Sequence, residues 1–326
     1  MRKDRNFHFP SGIVSPLFMV SMLTFNSCVS SKIIHSEKVE RIKNSYCVPN
    51  THYDYSDIPT PVKNVDSLLE KNPVLLSKMS YHDLLMCNAI GITTFLLDFM
   101  QLQETATVEH KLIRLDLKQK ITDRILAASN EILAISAELD CEGERVEQIA
   151  SYIDKKNSKR NNRFIVASII VGSLTTVGST LADAKSGKIV GISGGLISAS
   201  LGALAINPEG EKIEFYHPRN LLQPIWFDND SAGYYPPALW YILNEKKFSN
   251  SGQITLIKSM KQRWWQFDFN GKPVPKTETL LFTSGGLYSS ENLHIRAALI
   301  NQLQSTVRSF HQDLSSLTLS LRKIIN

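Results

Sequence analysis

The sequence predicts a mainly α protein: an elongated antiparallel helical bundle or coiled coil, with an apolar helical hairpin and a small, aromatic-rich α+β module. Three observations predict it. Residues 80–160 contain no proline and only two glycines, Gly91 and Gly143. The C-terminus repeats apolar residues in steps of three and four. Between these regions, two runs of apolar and small residues flank a short polar link. Helices turn the first two patterns into apolar faces and the third into a pair of apolar arms.

The chain begins with Arg2, Lys3 and Arg5, then an apolar stretch from Ile13 to Phe25 interrupted by Ser15 and Pro16. This stretch is too short to cross a bilayer comfortably and has the layout of a secretory signal. It ends in Leu23-Thr24-Phe25-Asn26-Ser27-Cys28. A small residue before a cysteine, closing an apolar run, resembles the lipobox of bacterial lipoproteins. That family prefers Leu three places before the cysteine and a small residue two before, where this chain has Phe25 and Asn26. The resemblance implies that residues 1–27 are a signal peptide and that Cys28 becomes the lipidated N-terminus. The mature protein would then be held to an envelope membrane, since two or three acyl chains anchor stably where one does not. Ordinary signal cleavage near Ser27, or a plain anchor helix, remains open.

Residues 28–79 are polar and carry Pro49, Pro59, Pro61 and Pro73, which reads as a tether and a loop-rich entry to the body. No acidic patch follows Cys28. Lipoproteins sent to the cell surface often have one, so its absence favours an outer-membrane protein facing the periplasm.

Residues 80–163 form the long helical region. Ile125, Ile132, Leu139, Val146 and Ile153 recur once per heptad, with Ala128, Ile135 and Ile149 as companions and Glu142 as the one break. This is a narrow seam for a partner helix. The region 289–326 supplies one: Ile300, Leu303, Val307, Phe310, Leu314, Leu317, Leu321 and Ile324 follow the pattern without a miss. The two seams are expected to pack within the chain. The competing expectation is that the C-terminal helix joins a second copy or another envelope protein.

Residues 164–206 are the hairpin. The linker 183–188 is polar, and seven of the sixteen glycines fall in this window. Gly191, Gly195 and Ala199 are spaced by four, as are Gly194, Ser198 and Gly202. Such rows let a second backbone come close. The segment resembles glycine-zipper hairpins of envelope and membrane-active proteins, which implies packing of Gly191, Gly194, Gly195, Ser198 and Gly202 against a membrane partner or another helix. Three fates are open: burial in the chain's own bundle, insertion into a membrane, or packing against a partner's hairpin. Burial or partner packing is favoured. Lys155, Lys156, Lys159, Arg160 and Arg163 precede the hairpin and could contact anionic lipid headgroups. The alternative is a solvated helix end.

Residues 207–288 hold all four tryptophans and read as the α+β module. Pro236-Pro237 marks a helix start. Trp265, Phe267 and Phe269 alternate into Asn270-Gly271, which predicts a β-hairpin with Leu280–Thr283 as its return.

Catalytic chemistry is not evident. Gly191-Ile192-Ser193-Gly194-Gly195 matches a nucleophile elbow, but inside a small-residue helix rather than after a strand. Asp228–Gly233 opens like a calcium loop, but Ala232 and Leu239 stand where ligands belong, so a turn is expected. Glu138, Asp140, Glu142 and Glu144 read as a solvated face. Cys47, Cys87 and Cys141 leave either one disulfide or three thiols, without zinc spacing. No cofactor or metal is expected. The formal charge of +5 is too low and too dispersed for nucleic acid.

The leading expectation is therefore a non-enzymatic, lipid-anchored scaffold or accessory subunit. The second is a membrane-active protein, because long helix, apolar hairpin and return helix resemble the order in helical pore-forming toxins. The third is a glycan-binding module in 207–288 using Trp264, Trp265, Tyr234 or Tyr235.

Overall fold

The structure is a computed structural model that describes residues 33–44, 47, 55, 58, 60–70, 72–102, 107–206, 210–271 and 275–325. Cys28 and the signal-like segment lie outside the described residues. The class is mainly α, as expected. The helices are α1 (Glu37–Lys43), α2 (Val65–Glu70), α3 (Pro73–Lys78), α4 (Tyr81–Ala89), α5 (Thr93–Gln101), α6 (Val108–Leu181) and α7 (Ala184–Ala205). They continue with α8 (Leu222–Phe227), α9 (Pro237–Asn244), α10 (Leu256–Arg263), α11 (Pro275–Phe282) and α12 (Ser290–Ile325). Two short strands, β1 (Ile213–Tyr216) and β2 (Gly285–Tyr288), pair antiparallel with Ile213 opposite Tyr288. The chain divides into a unit containing residues 158–210 and a larger one of 33–157 with 211–326, and α6 runs through the division.

In the larger unit, the two seams meet as the heptads require. Ile132, Leu139, Val146 and Ile153 on α6 are buried, as are Ile300, Leu303, Val307, Phe310, Leu314, Leu317 and Leu321 on α12. The helices run antiparallel. His294 bonds Asp154 and Glu147, and further along α12 Gln304 bonds Asp140. Gly143 makes the approach possible, since a Cβ there would stand 2.7 Å from the Asn301 amide oxygen. The C-terminal half of α12 packs on α4, where Asp83 accepts from Ser316 and Ser320. Ser80 caps α4 through the amide of Asp83, and Gly91, at φ +74°, turns the chain into α5.

The entry segment is more structured than its composition suggests. Ile34 donates to the Lys212 carbonyl, α1 to α3 are formed within it, and Cys47 is bridged to Cys141 on α6. Cys87 is a buried free thiol.

The module 207–288 departs from its reading in two places. There is no β-hairpin at Asn270-Gly271. Residues Trp264–Asp268 instead form a π-helical turn continuing α10, and Leu280–Phe282 belong to α11. The reason is burial. Ile257, Met260 and Trp264 are inward at helical spacing, and the extra residue of the π turn brings Phe269 inward rather than Asp268. The Phe269 amide bonds the Trp264 carbonyl, five residues back. Trp226 stacks on Phe282 at 4.2 Å, with Trp264 and Phe269 around them. The strands lie at β1 and β2, and glycine is required at the start of β2. Gly285 has φ +91°, and a Cβ there would overlap the Phe215 carbonyl. Pro237 does begin a helix, and residues 228–233 do form a turn, with the Asp230 carboxylate accepting from the amides of Tyr234 and Tyr235.

Candidate membrane-insertion site

Among the described residues, two helices are long and apolar enough to cross a membrane: α6 over its C-terminal stretch, and α7. Helices α4 and α5 pass the same test only if joined across a 114° bend, and α4 is core. The apolar arm of α6 that follows Arg163 and the 22 residues of α7 are about 27 and 33 Å long, close to the ~30 Å of a hydrocarbon core.

The arms pack through small residues, as the glycine rows predict, and antiparallel. A Cβ on Gly194 would overlap the Thr175 side chain, and one on Gly187 would lie 2.5 Å from the Ser179 carbonyl. Gly191 faces Ser179, and Gly202 faces Ser168. The Ser198 hydroxyl donates to the Ser168 carbonyl, and the Ser168 hydroxyl donates to the Ser198 carbonyl, each at 2.9 Å. Gly195 shares its row with Gly191 but lies off the contact: nothing lies within 4 Å of a Cβ there, and it lines an open groove of small residues with Ala199 and Thr176.

The outer faces are apolar and uncovered. Ile169, Leu174 and Leu181 on one arm, and Ile189, Ile192 and Ile197 on the other, are more than half exposed. Within the apolar stretch of α6, 0% of the residues are buried. The two arms do not bury these side chains against each other. The reason lies in the pattern: the large aliphatics point away from the arm–arm contact, which takes only the small residues.

The hydroxyl groups follow the same logic. Ser173, Thr175, Thr176, Ser179 and Thr180 each donate to a carbonyl three or four residues back, as do Ser193 and Ser200 on α7. With the Ser168–Ser198 exchange, the hydroxyls of the arms on either side of the 183–188 link have backbone acceptors inside the hairpin. Such back-bonding satisfies polar groups where water is absent.

The ends are polar. At the tip, Asp183 caps α7 through the Ser186 amide, with Lys185 and Lys188 exposed. Before the first arm, Lys155, Lys159 and Arg163 fall four apart on one face of α6 and are exposed. Lys156 is instead paired with Glu211 at 2.9 Å, and Arg160 reaches Asn161.

A second feature, in the larger unit, was not read from the sequence as a cluster. Glu138 and Glu142 are not on a solvated face; both side chains are nearly enclosed. Glu142 pairs with Arg145, stands 3.6 Å from Arg296 and 3.7 Å from His217 Nδ1. Burial alone would raise its carboxyl, but His217 and the two guanidinium groups outweigh burial and hold it down at about 2. His217 is fully enclosed, and Tyr288 donates to the Leu280 carbonyl, so the His217 Nε2–H donates to the Tyr288 hydroxyl at 2.7 Å. Burial, reinforced by Arg296, pushes His217 down to about 4 against the pull of Glu142. Arg296 also donates to the Leu281 carbonyl, and Arg219 bonds Glu138 and the Tyr234 carbonyl. The cluster joins α6, the segment after β1, β2 and α12. The space between Glu138, Glu142, Arg219 and Arg296 is about the size of a water molecule.

Compared with known protein families, curated proteins and solved structures, the chain matches none.

Proposed function

We propose that this chain is a bacterial envelope lipoprotein, anchored by acyl chains on Cys28 and by insertion of the 164–206 hairpin. Its helical body would be a non-enzymatic scaffold or accessory subunit at the periplasmic face of the outer membrane. The observation that carries the reading is the hairpin, with aliphatic side chains outward and the arm hydroxyls bonded to backbone carbonyls of the hairpin itself. Exposed apolar area of that extent in water is costly, at about 25 cal/mol per Å². Lipid removes the cost. The Cys47–Cys141 bridge supports an oxidising compartment, as expected outside the cytoplasm. In this arrangement Lys155, Lys159 and Arg163 would lie at headgroup level, where each basic residue contributes about 1 kcal/mol on anionic lipid.

The test separates the two anchors. Mass spectrometry of the mature N-terminus reads lipidation of Cys28; an unmodified thiol ends the lipoprotein reading. Alkaline extraction of a Cys28→Ser form reads the hairpin alone. Retention in the membrane is expected, with release when Leu174 and Ile197 are both changed to Arg. Extraction of Cys28→Ser with no further change would sink hairpin insertion.

A second reading, insertion into a target membrane by a pore-forming protein, draws on the same exposed arms. Leakage of dye from anionic vesicles by Cys28→Ser protein, abolished by the double Arg change, would favour it over the scaffold.

A further inference from the structure

A groove of about 740 Å³ opens between Trp226 and Trp265, lined also by Lys258, Lys261, Gln262, Gln266, Asn270 and Gly271. We propose that it binds an acidic saccharide, with Trp265 as the platform under a pyranose ring and Lys258 and Lys261 as partners of its carboxylates.

The helix and the π turn build this face. Lys258, Lys261, Gln262, Trp265 and Gln266 recur three and four apart along α10 and its continuation, so they share one side. The neighbouring tryptophan is committed inward: Trp264 is fully buried beside Phe282, while Trp265 is 42% exposed. The π turn keeps the two indoles on opposite duties, and π turns within helices concentrate at functional positions. Asn270 and Gly271 both lie in the left-handed region, at φ +52° and +67°. Asn270 is a non-glycine residue held there, with the Gly271 amide bonded to the Trp265 carbonyl at 2.8 Å. Backbone held in sparsely populated regions is typical of ligand clamps. A Cβ at 271 would stand 3.8 Å from the indole nitrogen of Trp265, an ordinary contact, so it is the positive φ that favours glycine there.

The far wall is rigid. Trp226 donates to Glu278 at 2.8 Å and stacks on Phe282. Lys261 is held over the Trp226 ring at 5.8 Å by Asp228. Lys258 is exposed and has no ion pair among the described residues.

The chemistry of the lining selects the ligand class. Among the described residues the lining contains two lysines; Lys261 is already paired with Asp228, and Lys258, which has no ion pair, supplies the charge that complements an anion. The lining contains three side-chain amides, which pair with vicinal hydroxyl and acetamido groups, beside a flat indole face for the apolar side of a sugar ring. A lipid surface would be met by aliphatic side chains around the indole, and among the described residues the lining has none. The inference does not rest on the hairpin or on Cys28.

The test uses the full chain in neutral detergent, titrated with three tetrasaccharides by calorimetry. One alternates N-acetylglucosamine and N-acetylmuramic acid with free lactyl carboxylates, one is tetragalacturonate, and one is the neutral tetramer of N-acetylglucosamine. At least one acidic tetrasaccharide is expected to bind tenfold or more tightly than the neutral one; which of the two binds distinguishes lactyl from uronic carboxylates. Trp265→Ala is expected to weaken binding at least tenfold with an unchanged circular dichroism spectrum. Lys258→Glu is expected to abolish the preference for acid. Lack of binding by both acidic sugars, equal binding of the neutral one, or full affinity in Trp265→Ala overturns the proposal. So does Trp265-dependent binding of phosphatidylglycerol vesicles without saccharide binding.

Discussion

Glu142 and Arg296 face each other at 3.6 Å, each a charged residue on a seam that is otherwise apolar. Glu142 stands in the row of Ala128, Ile135 and Ile149, and Arg296 in the row of Leu303, Phe310 and Leu317. Two apolar seams could slide past one another by a heptad. A buried ion pair at one level penalises every register that separates its members.

Replacing either member alone leaves a buried charge without its partner. Glu142→Leu is expected to destabilise the protein by about 3–5 kcal/mol. The double change Glu142→Leu with Arg296→Leu should cost much less, because it removes both charges. Urea midpoints of the four proteins measure the coupling. Additive effects would show that the pair does not act as a unit.

The cluster makes the larger unit sensitive to acid. An unfolded histidine takes a proton below 6.5, whereas folded His217 resists until about 4. The unfolded state therefore binds more protons between these values, and stability falls as pH drops through them. Glu142 extends the loss: its unfolded carboxyl titrates near 4.5 and its folded one near 2. His82 and His294 have raised values, from their bonds with Asp313 and with Asp154 and Glu147. Their contribution is complete below 6.5 and is lost at higher pH, so it does not mask the His217 limb. Glu138, like Glu131 and Asp268, is raised by burial, takes up its proton earlier in the folded state, and so opposes part of the His217 limb rather than the Glu142 one. Denaturation midpoints should decline from pH 6.5 to 4, and His217→Gln should flatten that decline. An unchanged slope in the variant would remove His217 as its source.

The Ser168–Ser198 exchange predicts a cross-link. The two hydroxyl oxygens are 3.2 Å apart, so cysteines at both positions should oxidise to a disulfide within one chain. Non-reducing electrophoresis after proteolysis of the 183–188 link reads it. Covalent dimers in place of an internal bridge would show that the arms pair between copies instead.

Gly187 offers a stricter probe than Gly195. A Cβ at 187 meets a backbone carbonyl that cannot rotate away, whereas one at 195 meets nothing. Gly187→Val should therefore reduce the Ser168/Ser198 cross-linking yield several-fold, and Gly195→Val should leave it intact. Equal effects at the two positions would contradict the packing.

The bridge between Cys47 and Cys141 closes a loop of sequence separation 94. Chain entropy for a loop of that length amounts to about 4–5 kcal/mol. Reduction, or Cys47→Ser, should lower the unfolding temperature of the protein markedly, whereas Cys87→Ala should act only through packing. A thermal scan with and without reductant tests it.

Much of this architecture was legible in the chain. Heptads such as Ile132–Leu139–Val146 and Leu303–Phe310–Leu317 determine that two helices pair, because their period matches the helix and few other structures. The rows through Gly191 and Gly194 determine a close-packed hairpin, because only small side chains permit that approach. Glu142 was visible as a break in its seam. Its partners were not, since His217, Arg296 and Tyr288 are remote in sequence and carry no spacing that links them. The same holds for Cys47 and Cys141, where sequence left the pairing open. The aromatic alternation before Asn270-Gly271 pointed to a hairpin, yet a π turn formed because the core admits Trp264 and Phe269 together. Local pattern sets which face of an element is apolar. Only the tertiary structure decides which faces are covered, and so which charges meet in the core, which tryptophan reaches solvent, and which apolar arms stay uncovered.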